Sequence, residues 1–437
     1  MPRSQRRRVL VALPTAWDGK QLAACRAAWE ERFEIVFGEP DDESCRADLD
    51  PAAWVEGYAA AAERGDGLDG VFSSSDYPGA TLAAALATRL GLPGPDPATV
   101  LRCSHKYYSR LAQREAAPEA IPGFWPVDAR RPGELPEGLP FPCFVKPVKG
   151  AYSLLARKVD SPAELAAFLA RPEVKEYVGG YLRLFDRLVA AYTGFELDGG
   201  FFLAEELLSG EQVTVEGWSR AGEVAVLGVV DSALHPLTKS FLRFDYPSRL
   251  PAEVQERMAG IVRRVIAGLG LVDSMFNVEM IWDPQSGRVS VIEVNPRMCG
   301  QFADLYRKVD GTSGYEVALA LAVGETPRIE RGGGRHALAA SFPLRVFEGV
   351  RVARAPGADD VAAAEALYPD ALVWNECSSG QELTDFLAFE DGRSARYGVL
   401  DLGGPGREEL IARSRRVLDR LGYRFEPAAP PRPRDFR

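Results

Sequence analysis

An α/β protein built around a parallel sheet, with further α+β lobes, is the fold class that the sequence predicts. In residues 1–102, apolar runs such as RRVLVALP and LDGVFSSSD alternate with stretches of helical spacing such as PAAWVEGYAAAAERG. This alternation is typical of parallel strands covered by helices. The length of 437 residues and the apolar fraction of 46% indicate two or three domains with ample core.

The remaining elements follow from the same patterns. The spacing of SHKYYSRLAQREA predicts a helix, and FPCFVKPVKGAYSLLARKV predicts a strand, a glycine turn and a second strand. The segment SMFNVEMIWDPQSGRVSVIEVNPR predicts a hairpin whose turn is DPQSG. Segments 231–250 and 298–315 are interpreted as loops that shape substrate pockets, and PAAPPRPRDFR is expected to be a disordered tail.

Composition excludes several classes of protein. A net charge of −10 argues against binding to nucleic acid or to an anionic membrane. The six cysteines contain no CxxC pair, which argues against a disulfide framework or a zinc site and indicates the cytoplasm. No apolar stretch approaches the roughly 20 residues of a membrane span. With three histidines in the chain, proton transfer and charge stabilisation are expected to depend on Lys, Arg, Asp and Glu.

Two acidic side chains are conspicuous in the predicted hairpin. With the turn centred on Ser286, Glu279 and Glu293 lie opposite each other, and Asn295 shares their face. Facing carboxylates destabilise a strand pair unless they are paired or bind a metal. Carboxylate and amide oxygens suit Mg²⁺. For Glu279 alone, an ordinary solvated surface glutamate is an equally good interpretation.

Two further strand ends carry charged side chains. Lys146, in FVKPVKGAYS, can reach a phosphate that the backbone N–H groups of a glycine loop cover. A merely solvated lysine is the commoner alternative. Glu205 and Glu206, in FLAEELLSGEQVTVEG, can accept a hydrogen bond from the exocyclic amine of adenine. The alternative is a polar loop between strands.

The order of these segments is informative. A domain ending in LGLPG precedes Lys106 in SHKYYSRLAQREA, Lys146 in FVKPVKGAYS, AEELLSGEQVTVEG, Glu279 in FNVEM, and IEVNPRMCGQ. Over about residues 1–330 the sequence resembles the ATP-grasp superfamily, and most closely its carboxylate–amine (amino-acid or peptide) ligases. The resemblance implies an ATP-grasp fold with a Rossmann-like pre-ATP-grasp domain (1–102), an ATP-grasp domain (103–334) with a small lid lobe at about 140–203, and a C-terminal α+β lobe (335–437).

The resemblance also implies roles for individual residues. Lys106 and Lys146 match the lysines that bind nucleotide phosphates, and loop 147–153, with Gly150 and Ser153, matches the phosphate lid. The residues that match the adenine hinge are Glu205, Glu206 and Leu208, and Gln212 stands where many relatives carry a ribose-binding glutamate. The Mg²⁺ ligands match Glu279, Glu293 and Asn295. Arg297 matches the arginine that contacts the transferred phosphoryl group, so Arg297 and Lys146 are the expected catalytic residues.

The substrate residues are less well defined by this resemblance. Many relatives carry a histidine in the segment LRFDYP, and this chain does not. The local polar candidates are Lys239, Arg243 and Asp245, with Arg297 and Gln301 from the segment after the hairpin. Asp245 and Glu216 are both open as the general base.

The implied activity is ATP-dependent amide or peptide bond formation, in which a small carboxylate, such as an amino acid, is activated as an acyl phosphate and joined to an amine. The implied cofactors are ATP and two Mg²⁺ ions, for which Mn²⁺ can substitute. The expected partners are the two small-molecule substrates, without nucleic acid or membrane, and a homodimer is left open. Two alternatives share the nucleotide site: a biotin-dependent carboxylase, and a non-catalytic ATP-binding protein.

Overall fold

The computed structural model describes residues 6–40, 49–150, 154–384 and 394–428, which fall into two compact units. The first unit comprises Met1–Gly228, Leu250–Gly300 and Gly314–Arg328, and the second comprises Val229–Arg249, Gln301–Ser313 and Ile329–Arg437. The predicted tail lies mostly outside the described residues, and the domain boundaries inferred from sequence stay a prediction. No helix in the described ranges combines the length and apolar character that crossing a bilayer requires.

The first unit begins with a parallel sheet. Its strands β1 (Arg7–Val11), β2 (Phe33–Phe37) and β3 (Gly70–Phe72) have the order β2-β1-β3, and both pairings are parallel, as the sequence predicts. The accompanying helices are α1 (Ala16–Ala24), α2 (Arg26–Trp29), α3 (Pro51–Arg64), α4 (Gly79–Leu90) and α5 (Pro97–Ser104). Helix α3 begins where the Asp50 side chain accepts hydrogen bonds from the N–H groups of Ala52 and Ala53. Helix α4 ends at Gly91, whose φ of +66° is left-handed.

A four-stranded antiparallel sheet follows in the same unit. Its strands are β4 (Phe124–Asp128), β5 (Cys143–Pro147), β6 (Arg157–Val159) and β7 (Phe201–Glu205). The helices of this part of the chain are α6 (Lys106–Ala116), α7 (Pro162–Leu169), α8 (Pro172–Glu176), a π-helical turn (Tyr177–Tyr181) and α9 (Arg183–Tyr192). The strand order is β4-β7-β5-β6. Lys146 pairs with Leu203, two residues before Glu205, so the Lys146 and Glu205 side chains share one face. Buried side chains such as Phe168, Phe185 and Phe202 form the core beneath this sheet.

A third sheet of the first unit carries the hairpin. Its elements are β8 (Glu211–Arg220), the Glu223–Gly228 part of β9 (Glu223–Leu234), β11 (Ser274–Trp282) and β12 (Val289–Asn295), with helices α10 (Ala252–Leu269) and α12 (Gly314–Ala322). Asp283 closes the hairpin turn, because its side chain accepts hydrogen bonds from the Gln285 N–H at 2.9 Å and the Ser286 hydroxyl at 2.6 Å. The predicted hairpin and its turn are confirmed.

The second unit has its own sheets and core. Its elements are the end of β9, β10 (Phe241–Tyr246), α11 (Gly300–Asp310), β13 (Leu338–Val346), β14 (Val350–Arg354), α13 (Ala358–Glu365), β15 (Leu372–Asn375), β16 (Glu382–Leu383), β17 (Ala395–Gly404), α14 (Arg407–Leu421) and β18 (Arg424–Pro427). One sheet has the order β9-β10-β13-β17-β15 and the other β16-β14-β18. Leu400, Leu402, Val417 and Leu421 lie in the core between β17 and α14.

Two segments interpreted as loops are largely regular, and that interpretation is wrong. Segment 231–250 contains β10, and segment 298–315 contains α11 and the start of α12. In FLRFDY the side chains of Phe241 to Tyr246 become buried along the strand because it is flanked by β9 and β13. Tertiary pairing of this kind overrides a weak local pattern.

Candidate active site

The hairpin of β11 and β12 brings two carboxylates together. Glu279 pairs with Glu293 and Asn277 with Asn295, so the predicted opposition of the two glutamates is confirmed. Asn295 Nδ2 lies 3.4 Å from Glu293 Oε1. Burial, and then the charge of Glu293, raise the pKa of Glu279 to about 7. The two carboxylates therefore repel each other, as expected of a site built for a cation.

A β-bulge in this hairpin exposes one carbonyl group to two cations. The register skips Ile292, because Glu279 pairs with Glu293 whereas Met280 pairs with Val291. The Ile292 carbonyl oxygen accepts a hydrogen bond from Arg110 Nη2 at 2.8 Å and one from Lys146 Nζ at 3.2 Å. The bulge therefore joins β12, immediately before Glu293, to α6 and β5.

Glu205 is the common partner of these two cations. Its Oε1 accepts a hydrogen bond from Arg110 Nε at 2.6 Å, and its Oε2 lies 2.7 Å from Lys146 Nζ. All three side chains are buried, with 2% of Arg110 and 5% of Glu205 exposed. Burial alone would raise the pKa of Glu205, but Arg110 and Lys146 hold it below its ordinary value. Burial lowers the pKa of Lys146 despite the opposing charge of Glu205.

A second lysine of the predicted phosphate site contacts the metal-ligand candidates. Lys106, the first residue of α6, has its Nζ 3.2 Å from Glu293 Oε2 and donates to the Gly150 carbonyl oxygen at 3.4 Å. Burial alone would raise the pKa of Glu293, but Lys106 and Lys146 hold it below its ordinary value. Lys106, Glu293 and Gly150 thus come together as the sequence resemblance implies. Ser153 lies outside the described residues.

Asp76 and Lys149 form a further ion pair of the site, and Arg297 lies beside it. Lys149 Nζ is 2.5 Å from Asp76 Oδ2, and Arg297 Nε is 3.7 Å from Asp76 Oδ1. Burial would raise the pKa of Asp76, but Lys149 and Arg297 lower it to about 2. Asp76 is therefore a permanent anion between a lysine that follows β5 and the arginine that follows β12.

The predicted adenine hinge follows β7. Glu206 is exposed and bonds Arg288 at 3.1 Å, and Leu208 is half-buried. Gln212 Nε2 donates to Glu279 Oε2 at 3.0 Å, which places this amide against a metal-ligand candidate. Gly210 has a φ of +133°, and a Cβ there would overlap the carbonyl oxygen of Trp282. Only glycine therefore allows the hinge to approach β11 so closely.

A cavity lies among these groups and measures about 310 Å³ when the adjoining space open to solvent is included. Its lining includes Lys106, Lys149, Gly150, Glu293 and Asn295. In the described ranges no three His, Cys, Asp or Glu side chains converge as a self-sufficient metal site. Two carboxylates and one amide nevertheless fit Mg²⁺, which takes one or two carboxylates and completes its shell with water and phosphate oxygens.

Several substrate candidates belong to the second unit. These are Gln301, Lys239, Arg243 and Asp245. Asp245 is buried and binds Arg243 at 2.7 Å and 3.0 Å and Arg407 at 2.7 Å, while Gln301 donates to the Ser341 hydroxyl at 2.9 Å. Lys239 is exposed. Their substrate roles stay a prediction, as does the general base. Glu216, the other candidate base, accepts the Cys299 N–H at 2.5 Å in the first unit.

Three charged residues of the site were missed by the sequence reasoning. Arg110 lies four residues after Lys106 on α6, a spacing that places both on one helix face. Lys149 follows Lys146 by three residues and lies in the glycine-containing loop after β5. Asp76 follows the serine run after β3. The helical spacing was a usable signal for Arg110, whereas Asp76 and Lys149 are 73 residues apart and nothing local links them.

Comparison with known proteins gives a family match. Residues 139–304 match the model of the ATP-grasp domain. The uncharacterized protein y4rH of Sinorhizobium fredii is 28% identical over 323 residues, which are 68% of this chain and 62% of that protein. The chain thus spans less than two thirds of the length of this relative.

Solved structures share the fold at low sequence identity. The L-amino acid ligase of Bacillus licheniformis has a TM-score of 0.66 and 19% identity, with 98% of this chain and 100% of that chain covered. The biotin carboxylase domain of Hydrogenobacter thermophilus 2-oxoglutarate carboxylase, in complex with MgADP, ADP and bicarbonate, has a TM-score of 0.63 and 16% identity, with 96% and 90% covered. The predicted fold is confirmed: the chain has the ATP-grasp fold, and its residues 139–304 match the ATP-grasp domain.

Proposed function

We propose that this chain is an ATP- and Mg²⁺-dependent ligase that activates a small-molecule carboxylate, an amino acid in the simplest case, as an acyl phosphate and joins it to an amine. One observation carries the proposal. Lys106, Lys149 and Arg297, with buried Lys146 behind them, converge near the facing carboxylates Glu279 and Glu293. Cations and a divalent metal site together are what a transferring phosphoryl group requires.

Glu279, Glu293 and Asn295 would hold Mg²⁺. The fit is supported by the raised pKa of Glu279, because two carboxylates this close need a further positive charge. A metal ion held there would supply positive charge against the phosphate oxygens of the nucleotide. Lys106 now neutralises Glu293 and would be free to bind phosphate once the metal takes over that carboxylate.

The chemistry explains why a nucleotide is needed. A carboxylate oxygen is a poor leaving group, so the substrate carboxylate first attacks the γ-phosphorus and the bond to ADP breaks. The amine then attacks the carbonyl carbon of the acyl phosphate, inorganic phosphate departs, and the amine loses a proton. Arg297 is proposed to bind the phosphoryl group throughout, and Lys146 is proposed to bind phosphate beside it.

Acyl phosphates hydrolyse readily, so water must be excluded while the intermediate exists. Loop 147–153 is the proposed lid, of which residues 147–150 are described. Gly150 lies at the cavity and its carbonyl oxygen contacts Lys106. Glu206, Leu208 and Gln212 are proposed to contact the adenosine half of the nucleotide. A cytoplasmic location and a homodimer also belong to this proposal.

A biotin-dependent carboxylase is the second candidate, favoured by the similarity to the MgADP- and bicarbonate-bound domain described above. A non-catalytic nucleotide-binding protein is the third. The ligase has stronger support than the carboxylase because the sequence shows no basic bicarbonate motif beyond the glutamates. It has stronger support than the non-catalytic protein because Lys106, Lys146, both glutamates, Asn295 and Arg297 are all present.

Phosphate release from ATP and Mg²⁺ tests the proposal. The assay uses the full chain with a panel of carboxylates, including amino acids, each with and without a panel of amines. Release that requires both substrates, with an amide detected by mass spectrometry, is the expected result. Release that requires bicarbonate and biotin would establish the carboxylase instead. Nucleotide binding without turnover in every pair would contradict both enzymatic proposals.

A further inference from the structure

A second cavity of the first unit has an apolar wall. It measures about 500 Å³ when the adjoining space open to solvent is included, and its lining combines one face of α4 with Met275, Met298 and Leu321. On α4 the lining residues are Ala80, Ala83, Ala84 and Ala87, a spacing that places four methyl groups side by side. These side chains are buried.

The cavity exists because the α4 residues that face it are small. Larger side chains at these positions would fill the space, because protein interiors are otherwise packed as densely as organic crystals. Ligand pockets commonly carry a few polar groups on an apolar wall. Asp273, on the same wall, is already paired with Arg220 at 2.5 Å.

One cation of the lining and one carboxylate next to it match the two charges of an amino acid. Arg297, the proposed phosphoryl-binding residue, lines the cavity. Asp76 does not line it, but Ser73 and Ala80, on either side of Asp76 in the chain, do. Asp76 Oδ1 is inaccessible to solvent and accepts no hydrogen bond from any described residue, although Arg297 Nε is 3.7 Å away. An α-amino acid presents a carboxylate and an ammonium group on one carbon, which requires a neighbouring cation and anion.

We propose that this cavity binds the side chain of an apolar α-amino acid substrate, whose carboxylate lies at Arg297 and whose ammonium group donates to Asp76 Oδ1. The inference rests on the proposed ligase function and adds to it the substrate class. Leucine-like and methionine-like side chains fit the apolar wall. Charged side chains are excluded, because the alanine and methionine groups offer them no partner.

Binding to the unmodified chain is the first test. Isothermal titration with Mg²⁺ and a non-hydrolysable ATP analogue compares L-leucine, L-alanine, L-aspartate and 4-methylpentanoate, which is leucine without its amino group. Leucine is expected to bind at least tenfold more tightly than each of the others, because apolar burial and the ammonium contact both contribute. Leucine that binds no more tightly than aspartate or alanine, or that does not bind at millimolar concentration, overturns the proposal.

Filling the cavity is the second test. Ala84→Leu adds apolar volume inside the cavity, and Thr88→Leu adds the same group on an exposed position of the same helix. Ala84→Leu is expected to weaken leucine binding at least tenfold and binding of the nucleotide analogue less than threefold. Thr88→Leu is expected to change neither. Equal leucine affinity in the two variants would contradict the assignment, and melting curves show whether both fold.

The third test concerns Asp76 and separates the two proposals. Asp76→Asn weakens several interactions, so the informative quantity is the ratio of leucine to 4-methylpentanoate affinity, which is expected to fall at least fivefold. An unchanged ratio would contradict the proposed contact between the ammonium group and Asp76 Oδ1. If phosphate release requires a carboxylate and an amine but ignores side-chain size, the side-chain pocket is wrong and the ligase stands. If no pair supports release, the ligase itself fails.

Discussion

Arg110 binds both Glu205 and the Ile292 carbonyl oxygen, at 2.6 Å and 2.8 Å. Through these contacts one guanidinium group joins the end of β7 to the bulge in β12. Because Lys146 contacts the other oxygen of Glu205, both oxygens of this carboxylate already have a buried cationic partner. The arrangement favours a supporting role for the Glu205 side chain, which holds Lys146 beside the metal-ligand candidates.

Arg110→Met is expected to destabilise the fold by about 3–5 kcal/mol, because it leaves the buried Glu205 and the Ile292 carbonyl without a main partner. Urea unfolding measures the change. Arg131→Met is the matched control: Arg131 forms an exposed pair with Glu134, and such pairs contribute about 0–1 kcal/mol. A similar small effect of both substitutions would show that the Arg110 pair does not support the fold.

Glu279→Gln is expected to raise the melting temperature of the metal-free protein, because it removes a like charge opposite Glu293 and retains the acceptor of the Gln212 hydrogen bond. The same variant is expected to lose most of the stabilisation by Mg²⁺ and ADP. Thermal unfolding with and without these ligands measures both effects. Glu223→Gln, on an exposed position of β9, serves as the control. A lower metal-free melting temperature in Glu279→Gln would count against the repulsion inferred here.

The hairpin shows what the sequence could predict. Its pairing near the turn followed from DPQSG, because Asp283 and Gly287 fix the loop and the partners from Trp282–Val289 to Met280–Val291 then follow by counting. The start of a capped helix was equally predictable. Ser161 stands directly before Pro162, a position typical of a residue that caps a helix, and its side chain accepts a hydrogen bond from the Glu164 N–H. In both cases the information lies within a few residues.

The contacts that complete the site could not be predicted in this way. Arg110 and Glu205 are 95 residues apart, and a lysine or arginine on a helix is solvated in most proteins. The skipped Ile292 is invisible in sequence because VIEV has the same apolar alternation with or without a bulge. Strand β10 was interpreted as a loop because its neighbours β9 and β13, rather than its own residues, make it a strand.

Lys146→Ala is expected to lower turnover at least about 100-fold, since one donor to a charged transition state contributes 10²–10³ in rate. The fold should remain soluble, because Glu205 keeps its hydrogen bond from Arg110. Phosphate release under the conditions described above measures the effect. Lys158→Ala, an exposed lysine on β6, is the control and should retain full turnover. Unchanged turnover in Lys146→Ala would overturn its assignment.

Glu293→Ala is expected to lower turnover to a similar extent and also to weaken the dependence on Mg²⁺. Lys106 loses its carboxylate partner in this variant, so nucleotide without metal should bind at least as tightly as in the unmodified chain. Titration with ATP in the presence of a chelator, compared with Mg²⁺, separates the two effects. Weaker metal-free binding would show that Glu293 does not compete with phosphate for Lys106.

Asp401, on β17 of the second unit, makes stability depend on pH. It is fully buried, and burial and then the Asp304 carboxylate raise its pKa from 3.8 to about 8, against Lys308 and Arg307. Between these values the folded chain holds a proton that the unfolded chain has released, so this contribution to stability is complete below pH about 4 and is lost as pH rises to about 8.

Asp401→Asn cannot ionise. It is expected to exceed the unmodified chain in unfolding free energy by a margin that grows by up to about 1.4 kcal/mol per pH unit from pH 5 to 8. Urea unfolding at several pH values measures this margin, with exposed Asp419→Asn as the control, and a margin independent of pH would show that Asp401 is ionised throughout.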